Sequence, residues 1–397
     1  MPDRSFAPDR GLPMRFIEPD RDSGTSTAVI VRPGETLAHT ALMRPVDRSG
    51  KIVHQGEPGA QADRVLSNLN WALSAAGTGR ESTVKMTVYV ADETVLTAAR
   101  DSVAQAFPGP IRPAVSWIVN RQPDPAILVT MDAVAVAPSA RDIAFCQSDL
   151  LPSWHGAAHV SVMPPGDAFY FSGLAATGTT PNAAAENTLR DIHRTLRDSG
   201  LSLEQVTRIK VFISSMSDSD ISIRAIAKYF GESRCPPIVI TESPSDLERP
   251  VKMEMIAVLP SNRRDSHATH HTPTPMPHAY KGFKWVEVAN TDSHGLVYFS
   301  GITPPSDLPS ERQFTWAYDR LRGVYTRPEA GQVHLIKGTH FLRDMPSVEM
   351  LENYLAHAPG PESSAAASFV LARGGAVPGT RYTLDMIAFS EMRPAKP

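Results

Sequence analysis

Two cysteines, Cys146 and Cys235, are the only thiols in 397 residues, and no Cys-x-x-Cys pairs them. A disulfide framework and a thiolate zinc site are set aside, and a reducing cytoplasm fits. No apolar run approaches the roughly 18 residues of a membrane span, and the first sixteen residues, MPDRSFAPDRGLPMRF, hold no apolar leader core. A soluble protein without a membrane partner is expected. Basic runs do not exceed Arg263-Arg264 and the formal net charge is −3, so no nucleic-acid partner is expected either. Phosphate loops are missing too, because Gly77-Thr78-Gly79 is not followed by Lys-Ser/Thr. The spacing of His267, His270, His271 and His278 matches no closed metal site, so no metal and no cofactor are expected.

Proline, by contrast, is abundant at 35 residues and clustered. Residues 260–280, PSNRRDSHATHHTPTPMPHAY, read as an extended linker, and a shorter break lies at 137–141. Apolar residues make up 42% and charged residues 20%, a globular balance. The breaks divide the chain into 1–140, 141–260, the linker 261–280, and 281–397. A repeat supports the same division. STVKMTVYVAD, VTRIKVFISSM and VHLIKGTHFLRDM each carry a Lys, with Lys85, Lys210 and Lys337 spaced 125 and 127 positions apart.

Around these strands the periodicity reads alike three times. In the first copy, residues 28–32 and 38–43 are strands about a Pro33-Gly34 turn, followed by helix 60–76, the Lys85 strand, helix 93–107, and strands 114–120 and 127–137. The second copy offers strand 169–171, helix 180–200 with Thr180-Pro181 at its start and Gly200 past its end, strand 206–216, helix 219–230, and strands 237–241 and 251–259. In the third copy come strand 297–299, helix 312–325, strand 333–345, helix 347–355, and strands 366–371 and 382–389. Each copy is thus β-β-α-β-α-β-β, with helices covering one sheet face. Met43, Trp117, Val134, Phe171, Ile240 and Met255 are read as an apolar second face. Three such sheets turned to a common centre make a pseudo-threefold assembly, a monomer by expectation, with a higher oligomer as the alternative.

The element order, Ser-Gly after the second strand (Ser172-Gly173, Ser300-Gly301), the apolar-Lys strand, and the endings Asp132-Ala133-Val134-Ala135, Glu254-Met255-Ile256-Ala257 and Asp385-Met386-Ile387-Ala388 resemble the YjgF/RidA family, also called endoribonuclease L-PSP-like. The resemblance implies chorismate-mutase-like α+β domains around a central β-barrel, here three in one chain as a pseudo-trimer, with small-molecule clefts between neighbours. In the best-known branch these clefts hydrolyse imine and enamine acids to keto acids and ammonia. That branch uses an Arg in a Pro-Ala-Arg-Ser setting, where a planar guanidinium grips a substrate carboxylate. The matching places here hold Val115, Ile238 and Ala367, and the branch's water-positioning acid is replaced by Thr130, Lys252 and Thr383.

Candidate residues follow from the motifs, each with a plainer alternative. Asp132, Glu254 and Asp385 are candidate general acids or bases, or else partners of Lys85, Lys210 and Lys337 on the adjoining strand. Arg112 and Arg234 can take an anionic ligand, or be solvated loop arginines. Ser172, Gly173, Ser300 and Gly301 offer hydroxyls and close backbone approach, or mark strand-end bulges. Ser116 and Ser368 face a cleft, or satisfy backbone groups. In the first copy Met43-Arg44-Pro45 replaces Ser-Gly, the sign of a diverged cleft. The leading expectation is a protein that binds, and transforms, a small anionic or carbonyl/imine metabolite. The alternatives are a non-catalytic scaffold or regulatory binder, a chorismatase-like hydrolase, and an imine deaminase with a relocated Arg.

Overall fold

Short polar side chains and proline start the helices. Thr180 accepts the Ala183 amide and Pro181 opens the helix behind it; Asp92 accepts the Thr94 and Val95 amides. The structure, a computed structural model, describes residues 12–32, 34–139, 143–152, 158–163, 169–231, 236, 238–243, 249–257, 268–271, 288–291, 296–325, 333–357, 365–373 and 379–390. The elements are β1 (Met14–Asp20), β2 (Thr25–Val31), β3 (Thr36–Thr40), α1 (Pro58–Ala75), β4 (Thr83–Val90), α2 (Glu93–Ala106), β5 (Ala114–Val119) and β6 (Val129–Ala137). Next come β7 (Ala144–Cys146), β8 (Val160–Met163), β9 (Phe169–Phe171), α3 (Pro181–Asp198), β10 (Val206–Ile213), α4 (Ser219–Phe230), β11 (Ile238–Glu242) and β12 (Val251–Ala257). The last are β13 (Ala268–His271), β14 (Val288–Thr291), β15 (Leu296–Ile302), α5 (Ser310–Tyr325), β16 (Val333–Leu342), α6 (Met345–His357), β17 (Ala366–Leu371) and β18 (Tyr382–Ser390).

Two compact units share the chain. The first takes Met1–Gly173, Ile336–Thr339 and Glu352–Leu371; the second takes the remainder. In the first, the strands run β9-β2-β5-β4-β6-β3-β8-β7, with β1 antiparallel to β2. Strands β4 and β5 are parallel, and β4 and β6 antiparallel. Helix α1 lays Val65, Leu66, Leu69, Ala72 and Leu73 against α2 and β6. In the second, β11-β10-β12 are neighbours and α3 packs on α4 and β12. A further sheet there runs β13-β14-β15-β18-β16.

Three differences from the sequence reading are physical. First, β2 and β3 do not form the expected hairpin: β2 pairs with β9 and β3 with β8, whereas β14 and β15 do pair with each other. Second, Trp117 is not on the face away from the helices, because it lies under Arg100 of α2 at 5.7 Å. Its neighbour Ser116 therefore takes the opposite face, with Lys85, Thr87, Asp132 and the apolar Val134, so that second face carries buried polar groups. Third, Ala268–His271, read as linker, is a strand paired with β14. His267 and His278 lie outside the described residues.

Candidate functional site

Strand register decides which side chains meet. Strands β4 and β10 both break register two residues in, between Thr83 and Lys85 and between Val206 and Arg208. Lys85 then stands opposite Val134, and Arg208 opposite Ile256. At the far ends the Ala91 amide bonds Leu128 O, Ser214 bonds Pro250 O and Arg343 bonds Arg381 O, at 2.9, 3.0 and 3.1 Å. Counting back six residues from each amide reaches Lys85, Arg208 and Lys337. The Lys repeat read from the sequence is thus off by two in the middle copy. Arg208 is the counterpart of Lys85 and Lys337, while Lys210 takes the place of Thr87 and Thr339.

In the first unit these positions build a chain of hydrogen bonds. Lys337 Nζ donates to Ser368 Oγ at 2.5 Å and to Thr40 O at 2.6 Å. Ser368 Oγ donates to Asp132 Oδ2 at 2.7 Å, and Lys337 Nζ lies 3.5 Å from that same oxygen. Ser368 is fully buried, whereas 15% of the Asp132 side chain is exposed, so the carboxylate is the open end. Lys85 likewise donates to Ser116. The expectation that Asp132 pairs with Lys85 is corrected: its lysine comes from the third copy.

In the second unit the same places carry four charges. Arg208 Nη2 donates to Asp385 Oδ2, and Lys210 Nζ lies 3.5 Å from both Asp385 Oδ2 and Glu254 Oε1. All four side chains are buried, and Arg208 Nε has no hydrogen-bond partner among the described residues. Asp385 is thus paired with Arg208 and Lys210, and Glu254 keeps the lysine expected for it, Lys210. Val239 stands beside Lys210 in the position of Ser116 and Ser368, and offers no hydroxyl. Sequence reasoning quoted Arg208 but missed it. The signal was available in aligning TVKMT with VTRIK from the turn that precedes each strand.

The remaining candidates divide. Arg112 is not a solvated loop arginine: it is buried, and its Nη1 donates to the carbonyls of Phe107, Gly109 and Ile111, stapling its own loop. Arg234 lies outside the described residues. Ser172 spends its hydroxyl on Ser26 O and its amide on Thr27 O, so it secures β9 to β2. Gly173 follows it, part-exposed. Ser300 and Gly301 lie in β15, and Gly301 has φ +66°, a conformation that favours glycine. Thr303 donates to Gly301 O and meets Thr383 Oγ1, both at 3.1 Å. Val115 and Ile238 are buried and Ala367 is part-buried, so no guanidinium occupies the Pro-Ala-Arg-Ser place. Arg44 is part-buried; burial pulls its pKa down to about 10, against the pull of Glu352 and Asp124. Among the described residues no helix is long and apolar enough to cross a membrane, and no His/Cys/Asp/Glu group is placed to hold a metal ion.

Comparison with known proteins bears on residues 28–137, which match the family Endoribonuclease L-PSP. The RutC family protein slr0709 of Synechocystis sp. is 35% identical over 88 residues, 22% of this chain and 68% of that protein. A Rid-family protein of unknown function from Yersinia pestis, YyfB, aligns over 32% of this chain and 99% of its own, at 27% identity and TM-score 0.30. A chorismatase crystal structure aligns over 88% of this chain and 98% of that one, at 10% identity and TM-score 0.49.

Proposed function

This chain belongs to the YjgF/RidA family, and from that premise we propose that it is a divergent member binding a small anionic, carbonyl- or imine-bearing metabolite beside Asp132. There it moves a proton to or from the C=O or C=N group. The observation that carries this reading is the Lys337–Ser368–Asp132 chain, at 2.5 and 2.7 Å. A hydroxyl can accept from an ammonium while donating to a carboxylate, so the three groups offer a continuous proton path ending at the most exposed member. Hydrolysis by the route of the family's best-known branch is not expected, because the carboxylate-gripping arginine is replaced in every copy. In this reading the three copies play the parts of separate subunits. In support, the Asp132 carboxylate of the first copy is held by donors of the third, and Asp385 of the third by donors of the second. The mass in solution is then that of one chain, 43.1 kDa.

The test is a thermal-shift screen with keto acids, run beside an assay for keto acid and ammonia release from 2-aminoacrylate-type imines. A ligand at about a hundred times its Kd adds roughly 2.7 kcal/mol of stability, well within reach of the measurement. The wild-type protein is expected to be stabilised by one or more keto acids, and Asp132→Asn to lose that response. No response to any of them, in either protein, would overturn the reading in favour of a scaffold.

A further inference from the structure

We propose that the third copy carries a second, independent site for a small carboxylate, built by Arg343 and Arg381. A small, open hollow lies where β16 ends and β18 begins, and Phe341, Arg343, Thr380, Arg381, Tyr382 and Thr383 line it. The two arginines are neighbours on adjacent strands, joined by the Arg343 amide to Arg381 O at 3.1 Å. Like charges so placed repel, and the fold does not require them. The same backbone pairing in the other copies joins Ala91 to Leu128 and Ser214 to Pro250, with no charged residue at either position.

One carboxylate offsets the pair in part. Asp344 Oδ2 accepts from Arg381 Nη1 at 3.2 Å, while Oδ1 accepts the Ser347 amide at 3.0 Å and hydroxyl at 2.6 Å at the start of α6. Two guanidinium groups against one carboxylate leave a single positive charge at the mouth of the hollow. Arg343 is exposed beside it. A planar fork of N–H donors next to a small cleft suits a carboxylate held by two parallel hydrogen bonds. Thr380 and Thr383 line the same hollow.

Propionate, inorganic phosphate and chloride, titrated at constant ionic strength and followed by calorimetry, test the assignment on the full chain. Propionate is expected to bind the wild-type protein and to weaken at least tenfold in Arg343→Ala, which restores the residue of the first copy. Arg381→Leu, the other first-copy residue, should weaken it similarly, and Asp132→Asn should leave it unchanged, separating this site from the metabolite reading above. Propionate affinity indifferent to Arg343→Ala, or matched by chloride, would overturn the site. Phosphate binding more tightly than propionate would overturn the carboxylate assignment.

Discussion

The two charged centres start from the same strand positions and differ in their donors. In the first unit a lysine reaches the carboxylate through a serine; in the second an arginine reaches it directly and a lysine is added alongside. The substitution has a chemical consequence. An ammonium and a hydroxyl can exchange protons with a carboxylate, whereas a guanidinium keeps its proton under all physiological conditions. In the proposed function the Ser368 centre moves a proton, whereas the Arg208 guanidinium clamps Asp385 directly. What stands at the serine position, a hydroxyl or the Val239 side chain, accompanies the change.

The largest expected effect breaks the clamp. Asp385→Asn strands Arg208 and Lys210 in a buried site, and the loss of one partner from such a pair typically costs about 3–5 kcal/mol. Asp132→Asn, at a part-exposed carboxylate, should cost about 1–3 kcal/mol, and urea midpoints measured on both variants check the order. An equal cost would remove the distinction between the centres. The double replacement Arg208→Met with Asp385→Leu should come back close to wild-type stability, since apolar side chains of similar volume often replace a buried pair without loss.

A finer experiment converts one centre into the other. Arg208→Lys alone leaves a shorter cation facing Asp385 with no bridging hydroxyl, and Val239→Ser alone buries a hydroxyl while arginine still holds the place of Lys337. Together they recreate the Lys–Ser arrangement of the first unit. Contacting residues of this kind couple by about 0.5–3 kcal/mol, so a double-mutant cycle should show the pair more stable than the sum of the singles. A strictly additive cycle would mean that Val239 has no part in selecting arginine.

Much of this fold was legible in advance. Thr180-Pro181 announced its helix, and α4, β9 and β17 lie where periodicity put them. The exchange of strand partners among β2, β3, β8 and β9 was not legible, because a short apolar strand states that it pairs but not with which neighbour. The centres were half legible. Residue types such as Asp132, Ser116 and Ser368 stood out, but parity on the strand decided which face they shared, and a register break near Arg208 shifts the count. Trp117, one residue past Ser116, takes the other face of its strand for the same reason of parity. The third copy's arginine pair left no pattern in its own sequence; it appears only when Ala91 and Leu128 are set beside it.

The smallest effect tests whether exposed charge behaves differently from the two buried centres. Burial pushes the Asp344 carboxyl up, but the Ser347 hydroxyl and amide, followed by Arg381 and Arg343, outweigh it and hold the group below its usual range. A carboxyl whose pKa is lower folded than unfolded contributes stability that is present above the unfolded value, about 3.9, and lost as pH falls through the folded one. Asp344→Asn should therefore leave stability at pH 7 lower by less than about 1 kcal/mol, as for a part-exposed ion pair. It should also shrink the difference from wild type as the pH is taken below 4, read from thermal midpoints across that range. Asp385→Asn, by contrast, should remain far below wild type at pH 5 to 8, because it leaves Glu254 as the one remaining carboxylate of the centre for two buried cations. Matching losses at pH 7 for the two variants would show that burial is not what separates the clamp from an ordinary surface pair.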